Sequence, residues 1–254
     1  MTGLRILISN DDGHFSSGIA ALERAAASIS DDVWVVAPEK KRSSMGHQIS
    51  LHDELTLTRL GHRRYMCSGT PADCAIVAMA WLFADSGKPD LVLSGVNEGR
   101  NIGEDIAYSG TMAIAREASF WGVPAIAFSA PKDIDFGASA LDCWLAGAVG
   151  GFAGDISAWH HPDSWLSVNL PSDVPASLRH AVAGRAKIAA RIEAQNTQGE
   201  TTVLRYAKGR SGVSCLGDET SVLDAGCASV YRLCWSGTMR VDDPLLDRIN
   251  RGLI

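Results

Sequence analysis

Over its first two thirds the chain alternates short apolar, β-branched runs with stretches of helical periodicity. That alternation constrains the fold more than any other feature, because it is the signature of a parallel sheet covered by helices on both faces. Residues 4–9 predict the first strand and residues 33–37 the second. Between them Ile19, Leu22, Ala25, Ala26 and Ile29 recur at helical spacing behind Ser16, Ser17 and Gly18, which completes one β-α-β unit. Thr70, Pro71 and Asp73 supply a cap, a first-turn proline and an acidic third position for a helix over 72–83. Further strands are predicted at 91–96, 125–129 and 165–170, with helices at 111–121, ended by Gly122, and at 138–152.

The alternation stops after Pro171. Alternating residues over 185–193 and 201–206, separated by Asn196, Thr197, Gln198 and Gly199, predict a long hairpin, and residues 244–250 a short terminal helix. The expected architecture is a doubly wound, mostly parallel α/β sheet in residues 1–175, followed by a hairpin and C-terminal oligomerisation region in 176–254. A two-stranded hairpin is marginal alone in water, and its edges invite pairing with another chain, so at least a dimer is expected.

Composition narrows the function. A chain of 254 residues that is 46% hydrophobic buries a substantial core without disulfides, and its six cysteines form no C-x-x-C pair. Reduced thiols in a cytoplasmic protein are expected. A net charge of -6 offers no general attraction to a nucleic acid polymer, so an anionic ligand has to be met locally. The N-terminal residues carry no apolar stretch of signal-peptide length, and no run approaches the ~20 apolar residues of a spanning helix, so no membrane association is expected.

In a doubly wound sheet ligands bind beyond the carboxyl ends of the strands, and the segments that fall there are unusually polar. They are Asn10-Asp11-Asp12-Gly13, the loop 38–47 with Arg42, Ser43 and His47, and the stretch 94–111. Adjacent carboxylates at a strand mouth repel unless a cation sits between them. Oxygens from Asp11, Asp12, Ser43 and Asn97 make a hard donor set suited to Mg²⁺ or Mn²⁺ rather than zinc, although Asn, Asp and Gly are also what an ordinary solvated turn prefers. Ser109-Gly110-Thr111 opens a helix, where free N–H groups favour an anion, or where a serine or threonine simply caps the helix. The spacing of Asn97, Gly99, Asn101 and Gly103 adds close backbone approach and amide donors. His47 is expected at the surface, Lys40-Lys41-Arg42 on a solvated face with Arg42 able to meet a phosphate, and His160-His161 in a loop. Trp81, Trp121, Trp144 and Trp165 are expected in the core, and Cys74 and Cys143 buried in helices.

Asn10-Asp11-Asp12-Gly13, Val35-Val36-Ala37-Pro38, Arg42-Ser43, Gly69-Thr70-Pro71-Ala72-Asp73-Cys74, Ser94-Gly95-Val96-Asn97 and Tyr108-Ser109-Gly110-Thr111 occur together and in order. In that ordered set the chain closely resembles the SurE family of 5'/3'-nucleotidases over about residues 4–130, with a weaker echo at Ser167-Val168-Asn169-Leu170-Pro171. The resemblance implies a Rossmann-like domain, a swapped C-terminal hairpin and tail, homodimers or homotetramers, and release of phosphate from nucleoside monophosphates with one divalent cation per subunit. It places the metal on Asp11, Asp12, Ser43 and Asn97, and phosphate-binding groups at Asn101, Ser109, Gly110 and Thr111. The C-terminal third departs from the family pattern: Gly226-Cys227-Ala228-Ser229-Val230-Tyr231-Arg232-Leu233 replaces a Gly-x-Val-Ser-Ile-Thr-Pro-Leu strand, and residues 237–244 lack the family's histidine. That departure bears on substrate preference, turnover and assembly.

The expected chemistry is in-line attack of water on phosphorus, with Asp11 or Asp12 orienting or deprotonating it. Neither a seryl nucleophile elbow nor a P-loop is present in the sequence. Two alternatives stay open: a nucleotide-binding regulatory protein with weak turnover, and a phosphatase for another small phosphomonoester or short polyphosphate.

Overall fold

A computed structural model describes residues 3–237. Its centre is a nine-stranded sheet in the order β3 (Leu57–Gly61), β4 (Arg64–Cys67), β2 (Asp32–Pro38), β1 (Arg5–Ser9), β5 (Leu91–Glu98), β6 (Ala125–Ala130), β7 (Ser164–Asn169), β13 (Ala228–Cys234), β8 (Leu178–His180). Strands β1, β2, β4, β5, β6 and β7 run parallel. Alternation along β1 shows how both faces are covered. Ile6 and Ile8 join a core with Ile19 and Leu22 of α1 (Ser17–Ala27) and Leu141 and Leu145 of α5 (Ser139–Gly154). Leu7 joins the opposite core with Cys74 of α2 (Pro71–Val77) and Met112 and Ile114 of α4 (Gly110–Phe120). This is the expected doubly wound α/β arrangement.

The helix starts follow the capping chemistry read from the sequence. Ser16 caps α1 by accepting from Ile19 N. Thr70 and Asp73 form a reciprocal capping box at α2, with Pro71 at its first position. The helix then changes character, because Ala78–Leu82 is a π-helical turn. The wider turn shifts the face that each residue presents. Met79 and Phe83 stay buried while Trp81 is 76% exposed, against the expectation that it is core. Trp165 is buried as expected. On α5 the buried stripe is Leu141, Leu145, Val149 and Ala153, and Cys143 lies off it and is exposed, which corrects the expectation for that thiol; Cys74 is buried.

Some elements carry no clear signal. β3 (Leu57–Gly61) and β4 form an edge hairpin whose residues are mostly half-exposed and whose turn holds Arg63 at φ 56 instead of Asn or Gly. Two short helices, α3 (Asp105–Tyr108) and α6 (Ile156–Trp159), were likewise unmarked. Beyond β7 the chain adds β8 (Leu178–His180), then a long hairpin of β10 (Ile192–Gln198) and β11 (Thr201–Tyr206), turned at Gly199 and Glu200; the second strand lies where the sequence predicts it, but the first begins at Ile192 instead of 185 and includes Asn196, Thr197 and Gln198, expected in the turn, because Lys187 and Ile188 pair with Ser211 and Arg210 instead. At its base β9 (Lys187–Ile188) pairs with β12 (Arg210–Ser211). Every residue of β10 and β11 is exposed, Ile192, Val203, Leu204 and Tyr206 among them. After α7 (Glu219–Asp224) the chain returns to the main sheet as β13 (Ala228–Cys234), antiparallel to β7 and parallel to β8. The terminal helix expected at 244–250 lies outside the described residues. Among those described, no helix is long and apolar enough to cross a membrane.

Candidate active site

At the end of β1 the Asn10 side chain closes a turn, donating to Gly13 O at 3.0 Å and Ser16 Oγ at 2.6 Å. Gly13 completes it at φ +102, a conformation open to glycine. Asp11 and Asp12 stand in that turn. Asp11 is 4% exposed, and its Oδ1 accepts from Thr111 Oγ1 at 2.5 Å. Burial pushes its carboxyl up to about 6; the negative charge of Asp12 adds to this and the Thr111 hydroxyl opposes it. Asp12 Oδ2 accepts from Glu98 N at 2.8 Å, and its Oδ1 meets the Lys41 ammonium.

Three segments converge on the pair. Arg42 N donates to Asp11 O at 2.7 Å, which ties the loop after β2 to the end of β1 and brings Ser43 into the cleft wall. In β5 a bulge inserts one residue between Ser94, opposite Ala127, and Asn97, opposite Ser129. Gly95 sits in this bulge, where a Cβ would stand 2.3 Å from Phe128 O. The bulge carries Asn97 and Glu98 to the cleft. Asn97 Nδ2 donates to Gly99 O at 2.6 Å, leaving Oδ1 as the donor atom for a ligand. From the other side comes α4, whose Ser109 caps by accepting from Met112 N at 3.1 Å. The N–H groups of Gly110 and Thr111, first in that helix, have no intrahelical acceptor.

Gly110 sets how closely the helix approaches. A Cβ there would stand 2.7 Å from Asp11 Cβ and 2.7 Å from Pro71 Cγ. Gly110→Ala is expected to push helix and aspartate apart, costing roughly a hundredfold in turnover and 1–3 kcal/mol of stability. Steady-state phosphate release and urea denaturation measure both, and an unimpaired variant would show that the contact is dispensable.

The resulting cleft holds about 210 Å³ and is lined by Asp11, Asp12, Ser43, Asn97 and Ser109 among others. Gly110, Thr111 and Asn101 do not line it. Asn101 is braced behind it: its Nδ2 donates to Ser129 Oγ at 2.8 Å, and its N donates to Asn169 Oδ1 at 2.9 Å. That second contact gives the Ser167–Pro171 motif a physical role.

Other residues near the cleft depart from the expectation drawn from the sequence or carry no sequence signal. Lys41, expected on a solvated face, supplies the counter-charge to Asp12; its place directly after a strand mouth was the available signal. Lys132 also lines the cleft, as does Arg210, which pairs with Asp105 at 2.5 Å; Arg210 follows the hairpin, and no motif marks it. Arg42 does not line the cleft, and its Nη2 donates to Ser68 O at 2.7 Å. His47 is half-buried, 2.8 Å from Glu117 Oε2 and stacked on Phe120, so it anchors the loop to α4 instead of standing free at the surface. His160 and His161 lie in the loop before β7, as expected.

The donor chemistry fits a divalent cation. Two carboxylates, an amide oxygen and a hydroxyl share one wall, Asp11 lacks a full counter-charge of its own, and the ammonium of Lys41 already rests against Asp12. Among the described residues no cluster of three or more His, Cys, Asp or Glu is placed to hold a metal, so any such site depends on the neutral oxygens of Ser43 and Asn97.

Comparison with known proteins agrees with this architecture. A family model described as "Survival protein SurE" matches residues 6–196. A relative named 5'-nucleotidase SurE, from Paramagnetospirillum magneticum, is 37% identical over 97% of this chain and 95% of its own. Another of that name, from Beijerinckia indica, is 44% identical over 68% of this chain and 66% of its own. The crystal structure of the SurE protein from Aquifex aeolicus superposes with a TM-score of 0.81 at 30% identity, covering 98% of this chain and 100% of that one. With most of its length matched in sequence and in fold, the chain belongs to the SurE family.

Proposed function

We propose that the chain hydrolyses nucleoside 5'-monophosphates, and 3'-monophosphates as well, with one Mg²⁺ or Mn²⁺ per subunit held by Asp11, Asp12, Ser43 and Asn97. The observation that carries this reading is the cleft at the mouth of β1, where Asp11, Asp12, Ser43 and Asn97 meet Ser109 at the start of α4. Relatives named 5'-nucleotidase SurE support the substrate class. When bound, the cation withdraws charge from a phosphoryl oxygen and lowers the pKa of a water.

The chain's own groups do the rest. One of the pair Asp11 and Asp12 orients the attacking water and takes its proton. The Ser109 hydroxyl at the cleft wall receives a phosphoryl oxygen, with the N-terminal end of α4 behind it at Gly110 and Thr111, and Asn101 holds the 97–103 loop in register. Lys132 and Lys41 meet the remaining negative charge at the rim. Water oxygen bonds to phosphorus as the ester P–O bond breaks, and the proton taken from the water passes to the leaving oxygen, so that the nucleoside departs as its alcohol. Six unpaired thiols are in keeping with a cytoplasmic setting.

The test is phosphate release from AMP, GMP and 3'-AMP in the presence of Mg²⁺ or Mn²⁺. Release is expected from all three; nucleotide binding without release would favour a regulatory protein, and release only from other phosphomonoesters a different phosphatase.

The region beyond Pro175 is proposed to join at least two copies, because β10 and β11 expose all their residues and pair only with each other among the described residues. Deleting residues 194–206 is expected to shift the molecule to a smaller species in light scattering while the cleft keeps its metal. An intact chain that is monomeric at micromolar concentration would contradict this.

A further inference from the structure

Of the proposed metal ligands, Ser43 has the least local support. Asp11 and Asp12 stand in a turn closed by the Asn10 side chain, and Asn97 follows a bulge within β5. Ser43 instead belongs to residues 39–56, which form neither strand nor helix. Its neighbour Ser44 holds φ 60, a left-handed conformation uncommon outside glycine, so the loop keeps this shape only where other contacts impose it. We propose that His47 is a positioning residue that fixes Ser43 relative to α4 and, through Ser43, sets the affinity of the metal site. The inference rests on the metal reading above and deepens it.

The loop is fastened on both sides of Ser43. Before it, Arg42 N donates to Asp11 O at 2.7 Å; after it, Gly46 N donates to Tyr108 O at 2.8 Å. His47 supplies the fastening that reaches α4. Its Nε2 lies 2.8 Å from Glu117 Oε2, and its ring stacks on Phe120 with centroids 5.4 Å apart and an interplanar angle of 18°. The partner carboxylate is itself held on both oxygens. Glu117 is 8% exposed, and its Oε1 accepts from Trp121 Nε1 at 2.9 Å, so it does not swing to follow a moving loop. A hydrogen bond to a carboxylate is stronger than one between neutral groups, and burial keeps water from competing for it.

The helix that carries Glu117 and Phe120 is the one that begins beside Asp11, at Gly110. One side chain therefore keeps Ser43 in register with the helix end that abuts the carboxylate pair. Groups that orient a metal ligand without touching the metal govern affinity or activity by roughly 10–100-fold, and the bond from His47 to Glu117 stands in that relation to Ser43.

The test titrates Mn²⁺ calorimetrically into the full metal-free chain. It compares wild type with His47→Phe, which keeps a flat ring for Phe120 but has no donor, and with His47→Gln, whose amide can reach Glu117. The dissociation constant is expected to rise about tenfold in His47→Phe and to stay within about twofold of wild type in His47→Gln. The Mn²⁺ concentration for half-maximal phosphate release from AMP should rise by the same factor, while the rate at saturating Mn²⁺ holds. Ser50→Ala removes the bond from Ser50 Oγ to Asp73 Oδ2 at 2.7 Å, farther along the same loop, and should leave metal affinity unchanged. Unaltered affinity in His47→Phe, or a loss of the same size in His47→Gln or Ser50→Ala, would overturn the positioning role. A further readout needs no metal: hydrogen exchange at the Arg42 and Gly46 amides of the metal-free chain is expected to quicken about tenfold in His47→Phe and not in His47→Gln. If wild type bound no Mn²⁺ the metal reading would fall, and the exchange rates would still decide whether His47 holds the loop, with equal rates in wild type and His47→Phe overturning it.

Discussion

Asp11→Asn and Asp12→Asn are each expected to lower phosphate release on the order of a thousandfold while leaving the sheet intact. The amide keeps the shape of the side chain, and at position 11 it still accepts from the Thr111 hydroxyl, but it removes the charge that holds a cation. Stability should move the other way at position 11. In the metal-free chain the Asp11 carboxyl rises from 3.8 to about 6 through burial, so between those values the folded state holds a proton that the unfolded state has released. Stability is therefore lost as pH rises through that window, by about 3 kcal/mol once both states are ionised. Chelator-treated Asp11→Asn should melt above wild type at neutral pH, and the gap should close near pH 4, where the wild-type carboxyl is neutral. Melting curves at the two pH values and initial rates with metal measure both halves. Retention of most metal-dependent turnover by both variants would sink the assignment.

Metal affinity is expected to depend on pH for the same reason. A cation binds the ionised carboxylate, so binding displaces the Asp11 proton and should weaken as pH falls below about 6.

How far the sequence went is best judged at particular residues. Ile6, Leu7 and Ile8 announced a strand buried on both faces, and Thr70, Pro71 and Asp73 marked a helix start, because period and capping are local properties that a short window contains. The strand-mouth rule then gathered Asp11, Asp12, Ser43, Asn97 and Ser109, which do share one cleft. What stayed hidden depends on contacts across the chain. Arg210 reaches the cleft only because the hairpin base folds over Tyr108, and Lys41 looks like any surface lysine until Asp12 stands against it. The edge hairpin of β3 and β4 went unseen because its turn uses Arg63 where Asn or Gly would have marked it. Trp81 was misplaced by a π-helical turn, whose extra residue breaks the period on which the reading relied.

Hard oxygen donors at the mouth of β1 are proposed to hold a divalent cation without which the phosphoester is not cleaved. Asp11, Asp12, Ser43 and Asn97 offer oxygens alone, a set that favours Mg²⁺ or Mn²⁺ over softer metals. The most direct measurement is phosphate release from AMP by the full chain after exhaustive treatment with EDTA and removal of the chelate. The rate is expected to fall to background and to return in full on adding Mg²⁺ or Mn²⁺, with Asp11→Asn and Asp12→Asn failing to recover. Undiminished release from the chelated wild-type chain would contradict the account.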